Sequence, residues 1–154
     1  MTKKRQTILI LLLILGILWT VFIFSRSAKT VSESAKESGR VTSFLQTLFG
    51  GLSISEHLIR KLAHFAEYLI LSLPLAGAAL LLERRWMLAA FWGYTIAVAV
   101  CDEFIVQAIS GRGSRISDVL IDSSGSLLGL LFMVSAVSFL GWMRKRGGEN
   151  LLKK

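Results

Sequence analysis

Four long apolar runs dominate this chain and constrain its fold more than any other feature of the sequence. A run of about 18 or more apolar residues is long enough to cross the hydrocarbon core of a bilayer. A soluble domain of 154 residues has no means of burying four such runs. The sequence therefore predicts an all-α integral membrane bundle of about four transmembrane helices in a single domain, 1–154, with spans at 8–24, 62–82, 86–109 and 119–140.

The net charge of +8 raises the question of nucleic-acid binding. Many of the basic residues, however, stand at the ends of apolar runs, where orienting and snorkelling charges belong. Such groups occur at 3–5, 84–85 and 144–146. We therefore expect no nucleic-acid partner. The single cysteine, Cys101, excludes an intrachain disulfide.

The first run begins behind three basic residues, as a signal peptide also does. Its apolar stretch is longer than the roughly 7–15 residues of a signal peptide, and the residues after it form a poor cleavage site. We therefore favour a retained anchor helix. Residues 25–61 are predicted to be an external loop, and 25–40, rich in Ser, Lys and Glu, to be exposed and mobile.

An amphipathic pattern follows within that loop. Apolar residues recur at helical spacing and share one face: Val41, Phe44, Leu45, Leu48, Phe49 and Leu52. This pattern predicts a helix, weakened at its end by Gly50 and Gly51. Beside a membrane, such a helix either lies in the interface plane on the outer face or packs on the bundle.

Small residues and one proline mark the packing of the spans. Pro74 is expected to kink the second span, which membrane helices tolerate. Gly125-x-x-x-Gly129 on the fourth span is a close-packing signal. The third span carries a stripe of small residues that lets another helix approach closely: Ala89, Gly93, Ala97 and Cys101.

Orientation is predicted from the basic residues near the spans. With the N-terminus inside, the cytoplasmic side holds the groups at 3–5, 84–85 and 144–146 and the tail residues Lys153 and Lys154. The opposite side holds a comparable number, but several of these lie in the long loop or beside carboxylates. We therefore expect cytoplasmic N- and C-termini.

Polar residues on three predicted spans fall at one depth. At about 1.5 Å per residue, His64 lies roughly 27 Å from Leu82, and Asp102 lies roughly 24 Å from Trp86. Both therefore reach the same edge of a hydrocarbon core about 30 Å thick. The fourth span starts from that edge. On the N-inside topology, the shared level is the outer leaflet.

Charged side chains at mid-bilayer cost roughly 2.5–3.5 kcal/mol each, so this group should face inward and be paired. Two interpretations stay open: an ion-pair lid that fixes helix register, and a site for a polar or phosphate-bearing ligand. We predict no metal site and no cofactor, and we expect His57 to be solvated. The candidate catalytic residues are His64, Glu67, Asp102, Glu103, Asp118 and Asp122, and the candidate ligand-binding residues are Lys61, Arg112 and Arg115.

Two short motifs resemble those of the VanZ-like family. The segment 60–68, Arg-Lys-Leu-Ala-His-Phe-Ala-Glu-Tyr, is similar to the family's first motif. Asp102-Glu103, then Gly111-Arg112, then Asp118-x-x-x-Asp122-x-x-Gly125-x-x-x-Gly129, is similar to its second. Together the motifs cover roughly 60–130. Their order and their placement on spans make the combined match specific.

The resemblance implies a multi-pass protein of the bacterial cell membrane whose founding relative lowers susceptibility to the glycopeptide antibiotic teicoplanin. The motif positions that match are His64, Glu67, Asp102, Glu103, Arg112 and Asp118. This chain departs at one place. Relatives often carry a polar residue and then Gln soon after the Asp-Glu pair, whereas here Ile105 and Val106 precede Gln107. Either the helix end is wound differently or one polar contact is absent.

Three functions follow as alternatives. The first is an envelope protein that lowers teicoplanin susceptibility through an outward-facing polar site acting on a cell-surface or lipid-linked component. The second is an intramembrane enzyme acting on a lipid phosphate or glycolipid headgroup, with Arg112 and Arg115 holding the phosphate. The third is a non-catalytic envelope assembly partner. The expected partners are membrane lipid, a lipid-linked envelope precursor or the glycopeptide antibiotic, and a second copy of the chain through the small-residue stripe.

Overall fold

The computed structural model describes residues 1–48, 55–110 and 114–151. These residues form an all-α bundle, as the sequence predicts. Four of its helices are long and apolar enough to cross a membrane. The five helices are α1 (Lys3–Ser27), α2 (Val31–Leu48), α3 (Glu56–Leu81), α4 (Trp86–Ile109) and α5 (Ile116–Leu151).

The helices α1, α3 and α5 are longer than the predicted apolar runs, because polar residues at their ends are also helical. The hydroxyl of Thr2 caps α1 by accepting from the backbone N–H of Arg5 at 3.4 Å. Ser55 caps α3 in the same way, accepting from Leu58 at 3.3 Å. The third span, Trp86–Ile109, has the predicted bounds.

The first apolar run is an integral part of the bundle. Trp19 on α1 donates its indole N–H to the carbonyl of Glu67 on α3 at 2.8 Å. Thr20 and Tyr94 join α1 to α4 through their hydroxyls at 3.0 Å. At the other end of α1, the guanidinium of Arg5 bonds the carbonyl of Leu81 at 2.7 Å. The retained anchor helix that the sequence favours is therefore also a packing partner.

The prediction of a mobile loop over 25–40 is wrong. Residues 25–27 complete α1, and α2 begins at Val31, ten residues before the amphipathic pattern. The helix has its own capping contacts, because Thr30 accepts from and donates to Glu33. It packs against the start of α3 while Val41 and Phe44 stay exposed. The predicted apolar positions 49–52 lie outside the described residues.

The Gly-x-x-x-Gly pair on α5 packs directly on α3. A Cβ added at Gly125 would lie 2.3 Å from the carbonyl oxygen of Phe65, and one added at Gly129 would lie 2.4 Å from that of Leu69. Backbones can approach so closely only where side chains are absent. The close-packing prediction therefore agrees with the geometry of this seam.

Within the described residues, the small-residue stripe on α4 makes no comparable close contact. Ala89, Gly93 and Ala97 are exposed, and a Cβ added at Gly93 would meet nothing within 4 Å. The face of α4 that enters the bundle instead carries Thr95, Val98, Ala99 and Asp102. The spacing of small residues predicted a face that another helix could approach closely, but it did not identify that helix.

Candidate functional site

Four spanning helices bring polar side chains together at one end of the bundle. This end lies where α1 and α4 finish and where α3 and α5 begin. The prediction that His64 and Asp102 reach the same end of the bundle therefore agrees with the structure. We call the group the polar cluster, and its members are Arg26, Ser27, Lys61, His64, Glu67, Asp102, Glu103, Gln107, Asp118 and Asp122.

A π-helical turn over Asp102–Val106 sets the acidic pair of α4. The Gln107 amide donates to Asp102 Oδ2 at 3.3 Å and to Glu103 Oε2 at 2.6 Å. A π turn holds one more residue than an α turn, so it returns a side chain one position late to the same face. Of the two alternatives that the sequence left open, the structure adopts the differently wound helix end. Gln107 therefore keeps its polar contacts.

The buried pair is also tied to its neighbours. Ser27 at the end of α1 donates to Asp102 Oδ2 at 2.8 Å. Glu103 Oε1 accepts from the backbone N–H of Arg115 at 2.6 Å, and its carbonyl accepts from Ser114 at 2.8 Å. Asp102 and Glu103 are 0% and 1% exposed. They therefore act as anchors for the end of α1 and for the start of α5.

Two of the three predicted cations lie within the described residues, and they contribute in different ways. Lys61 reaches Asp118 Oδ1 at 3.1 Å and so links α3 to α5. Arg115 contributes through its backbone, since the residue itself is exposed. Arg112 lies outside the described residues.

Arg26 is the cation that the sequence analysis missed. Its Nε lies 3.7 Å from Glu67 Oε1, while His64 Nδ1 lies 3.8 Å from Glu67 Oε2. Its Nη1 also reaches Glu37 at 2.8 Å. The available signal was a basic residue in the last turn of a helix, a position that complements the helix dipole. Assigning Arg26 to a mobile loop concealed that signal.

Tyr68 and Asp122 are also almost fully enclosed at this end of the bundle. They are 0% and 2% exposed. Neither the hydroxyl of Tyr68 nor Oδ1 of Asp122 has a hydrogen-bond partner within the part of the chain that the structure describes. Buried polar atoms of this kind are rare outside functional sites.

A cavity of about 330 Å³ opens beside the polar cluster. It lies between α2, the end of α1 and the first turns of α3. Ser34, Ser38 and Ala63 form part of its wall. Its charged and ionisable lining consists of Arg26, Glu37, Arg40, Arg60, His64 and Glu67.

Glu37 ties α2 to the end of α1 at the wall of this cavity. Lys29 and Arg26 both form ion pairs with its carboxylate. The hydrogen bond from Lys29 and the charge of Arg26 hold the pKa of Glu37 below its ordinary value. The carboxylate is therefore ionised at neutral pH and keeps one side of Arg26 occupied.

The arrangement suits the binding of a polar group and the movement of a proton. His64 and Glu67 are paired, line the cavity and are of the residue types used in general acid–base catalysis. Within residues 1–48, 55–110 and 114–151, no group of three or more His, Cys, Asp or Glu is placed to hold a metal ion. His57 is exposed near the start of α3, apart from this lining.

Comparison with known proteins gives one match. The family model described as VanZ/LLP1 matches residues 11–139. No curated protein and no solved structure matches. The matched range includes the four spanning segments for most of their length and every member of the polar cluster.

Proposed function

This chain belongs to the VanZ/LLP1 family, and from that membership and the polar cluster we propose that it lowers susceptibility to the glycopeptide teicoplanin. It is a multi-pass membrane protein. In this proposal it lies in the bacterial cell membrane, and its polar cluster acts on a cell-surface or lipid-linked envelope component.

The observation that carries the proposal is the convergence of charge at one end of the bundle. Five carboxylates and a histidine come from three helices, and Arg26 comes from a fourth. Each charge within the hydrocarbon core costs roughly 2.5–3.5 kcal/mol, so ionisable residues in spans are functional candidates by default. A lid that only fixed helix register would need fewer groups and no adjoining cavity. The cavity lined by His64 and Glu67 therefore favours a binding site.

We propose that this end faces outward, with both termini in the cytoplasm. The basic groups at 3–5 and 84–85 lie together at the opposite end, where Arg5 pairs with Glu83 at 2.5 Å. Basic residues beside spans favour the cytoplasmic side. Near the polar cluster, Lys61 is paired with Asp118, and Arg26 and Lys29 are paired with Glu37.

Cysteine labelling in intact cells tests this orientation. In a Cys101→Ser background, a membrane-impermeant maleimide is expected to label Ser32→Cys, which is exposed on α2, without permeabilisation. Thr2→Cys, at the other end of α1, should be labelled only after permeabilisation. Neither substitution changes the charges that orient the chain. The reverse labelling pattern would contradict an outward polar cluster.

Glu67→Gln is expected to abolish protection against teicoplanin. The amide keeps the size of the side chain but removes the charge that faces Arg26 and His64. Growth inhibition of cells expressing the variant should therefore match that of cells with an empty vector. Glu83→Gln is the matched control, because Glu83 is exposed at the opposite end. If Glu67→Gln gave full protection at equal protein levels, the proposed role of the polar cluster in protection would be wrong.

A second candidate function is an intramembrane enzyme acting on a lipid phosphate or glycolipid headgroup. It is favoured by one observation: His64 and Glu67 line the same cavity as Arg26 and Arg60. This places acid–base groups beside cations that bind phosphate. Incubation of the purified protein with phosphatidic acid separates the two candidates. Release of inorganic phosphate supports the enzyme, and an unchanged lipid supports binding alone.

A further inference from the structure

We propose that the cavity beside the polar cluster and an apolar groove next to it form one site for a single amphiphile. Its phosphate-bearing headgroup occupies the cavity, and its hydrocarbon chain lies in the groove. This inference rests on the proposed function, since it assigns a chemical class to the lipid-linked component.

The headgroup end is lined by cations. Arg26, Arg40 and Arg60 all border the cavity, against the two carboxylates of Glu37 and Glu67. Arg26 is shared between these carboxylates, which leaves Arg40 and Arg60 to meet a ligand. Guanidinium groups bind phosphate in a bidentate fashion, with a match of geometry as well as charge.

Arg60 shows the clearest need for a ligand. Its Nε is fully enclosed and has no hydrogen-bond partner in the described part of the chain. A buried donor without an acceptor costs about 1–3 kcal/mol, and more when it is charged. Arg60 also lines the cavity, so a phosphate bound there lies next to this guanidinium.

The hydrocarbon end is a groove of about 410 Å³ with an almost wholly apolar lining. It runs between α1 and α3 at the level of the proline in α3. The lining residues are Leu12, Leu15 and Trp19 from α1, Ile70, Leu73 and Pro74 from α3, and Met133 from α5. A groove of this composition binds acyl or isoprenoid chains and offers nothing to a free phosphate ion.

The cavity and the groove lie on one stripe of each helix. On α1, Trp19 of the groove precedes Arg26 of the cavity by seven residues, which is two helical turns. On α3, Pro74 of the groove follows Glu67 of the cavity by the same spacing. Two turns are about 10.5 Å along a helix axis. The cavity and the groove are therefore close enough along the helices for one lipid molecule to occupy both.

Trp19 joins the two parts of the site. Its ring lines the groove, and its N–H bonds the carbonyl of Glu67, whose side chain lines the cavity. The polar compartment thus sits directly above the apolar one. This stacking favours a lipid phosphate over a soluble phosphate, although the headgroup chemistry is common to both.

Binding to the purified full-length protein in a neutral detergent tests the headgroup. The measurement is displacement of a fluorescent phosphatidic acid by three competitors: dioleoyl phosphatidic acid, dioleoylglycerol and inorganic phosphate. Dioleoyl phosphatidic acid should compete at least tenfold better than dioleoylglycerol, which has the same chains without the phosphate. Competition by inorganic phosphate as effective as that by the lipid would reassign the site to free phosphate and overturn the proposal.

Two pairs of variants locate the binding. Arg60→Gln is expected to weaken phosphatidic acid binding about tenfold, while Arg84→Gln, an equal loss of charge at the opposite end, should not change it. Arg40→Gln, at an exposed position of α2, should also weaken binding, with no effect on folding. Unchanged affinity in both cavity variants would overturn the headgroup assignment.

The groove is tested by filling it. Leu15→Trp should weaken phosphatidic acid binding, whereas Leu18→Trp, which is also exposed on α1 but lies outside the groove, should not. Equal affinity of these two variants would overturn the groove assignment. If lipid binding fails while Glu67→Gln still abolishes teicoplanin protection, the ligand class is wrong and the proposed function stands. If binding holds but Glu67→Gln protects fully, the lipid site stands and the proposed function fails.

Discussion

Gly129→Ala is expected to lower the thermal unfolding midpoint of the bundle. The new Cβ would lie 2.2 Å from Ser72 Oγ and 2.4 Å from the carbonyl oxygen of Leu69. The hydroxyl can rotate away, but the backbone carbonyl cannot. α5 must therefore move off α3, and forced overpacking of this kind costs about 1–3 kcal/mol.

The close contact between α3 and α5 includes a second glycine. Gly125 lies one turn earlier, and a Cβ there would be 2.3 Å from the carbonyl oxygen of Phe65. The double variant Gly125→Ala, Gly129→Ala should therefore separate α3 from α5 and displace Asp118 and Asp122 from the polar cluster. Thermal unfolding in detergent, followed by circular dichroism, measures the loss of stability.

Gly93→Ala is the matched control for this experiment. A Cβ at Gly93 meets nothing within 4 Å, and alanine stabilises a helix interior by roughly 0.5–1 kcal/mol relative to glycine. The midpoint of this variant should stay the same or rise. A Gly129→Ala protein as stable as the Gly93→Ala protein would show that the two helices do not meet at the observed distance.

Gln107→Leu is expected to destabilise the bundle by several kcal/mol. Its amide donates to one oxygen of each carboxylate of α4, at 3.3 Å for Asp102 and 2.6 Å for Glu103. Hydrogen bonds to charged groups contribute about 1.5–3 kcal/mol each, and the carboxylates are too buried to turn to water instead. Chemical denaturation of the purified protein measures the loss, with the exposed Gln6→Leu as the control.

Deletion of one residue tests whether the π turn itself delivers Gln107 to this position. Removing Ile105, whose side chain is 55% exposed, should convert the turn to α-helix and leave Gln107 on the same face. Stability should therefore fall less than in Gln107→Leu. A deletion that is more damaging than the side-chain change would mean that the extra residue has another structural role.

The sequence predicted the elements whose placement depends on hydrophobicity and length. Apolar runs fixed the number of spans, and the rise per residue placed His64 and Asp102 at one end of the bundle. Gly125 and Gly129 predicted a close seam because backbone approach requires small residues. These inferences succeed because each depends on local chemistry or on simple helix geometry.

What the sequence could not supply depended on contacts between distant segments. The helicity of residues 31–40 is fixed by capping at Thr30 and by ion pairs from Glu37 to Arg26 and Lys29, which apolar periodicity does not register. The π turn at Asp102–Val106 has no composition of its own. The only indication of this turn in the sequence is that Gln107 stands one position later than in relatives. That shift alone does not distinguish a π turn from a lost contact.

The most direct test of the proposed function is the binding of labelled teicoplanin to intact cells. Four strains are compared at equal protein levels: wild type, Glu67→Gln, Glu83→Gln and an empty vector. We predict that strains with wild type or Glu83→Gln bind less antibiotic than the empty-vector strain, and that the Glu67→Gln strain binds as much as the empty-vector strain. Equal binding by all four strains would contradict the claim that the polar cluster reduces access of the glycopeptide to its target.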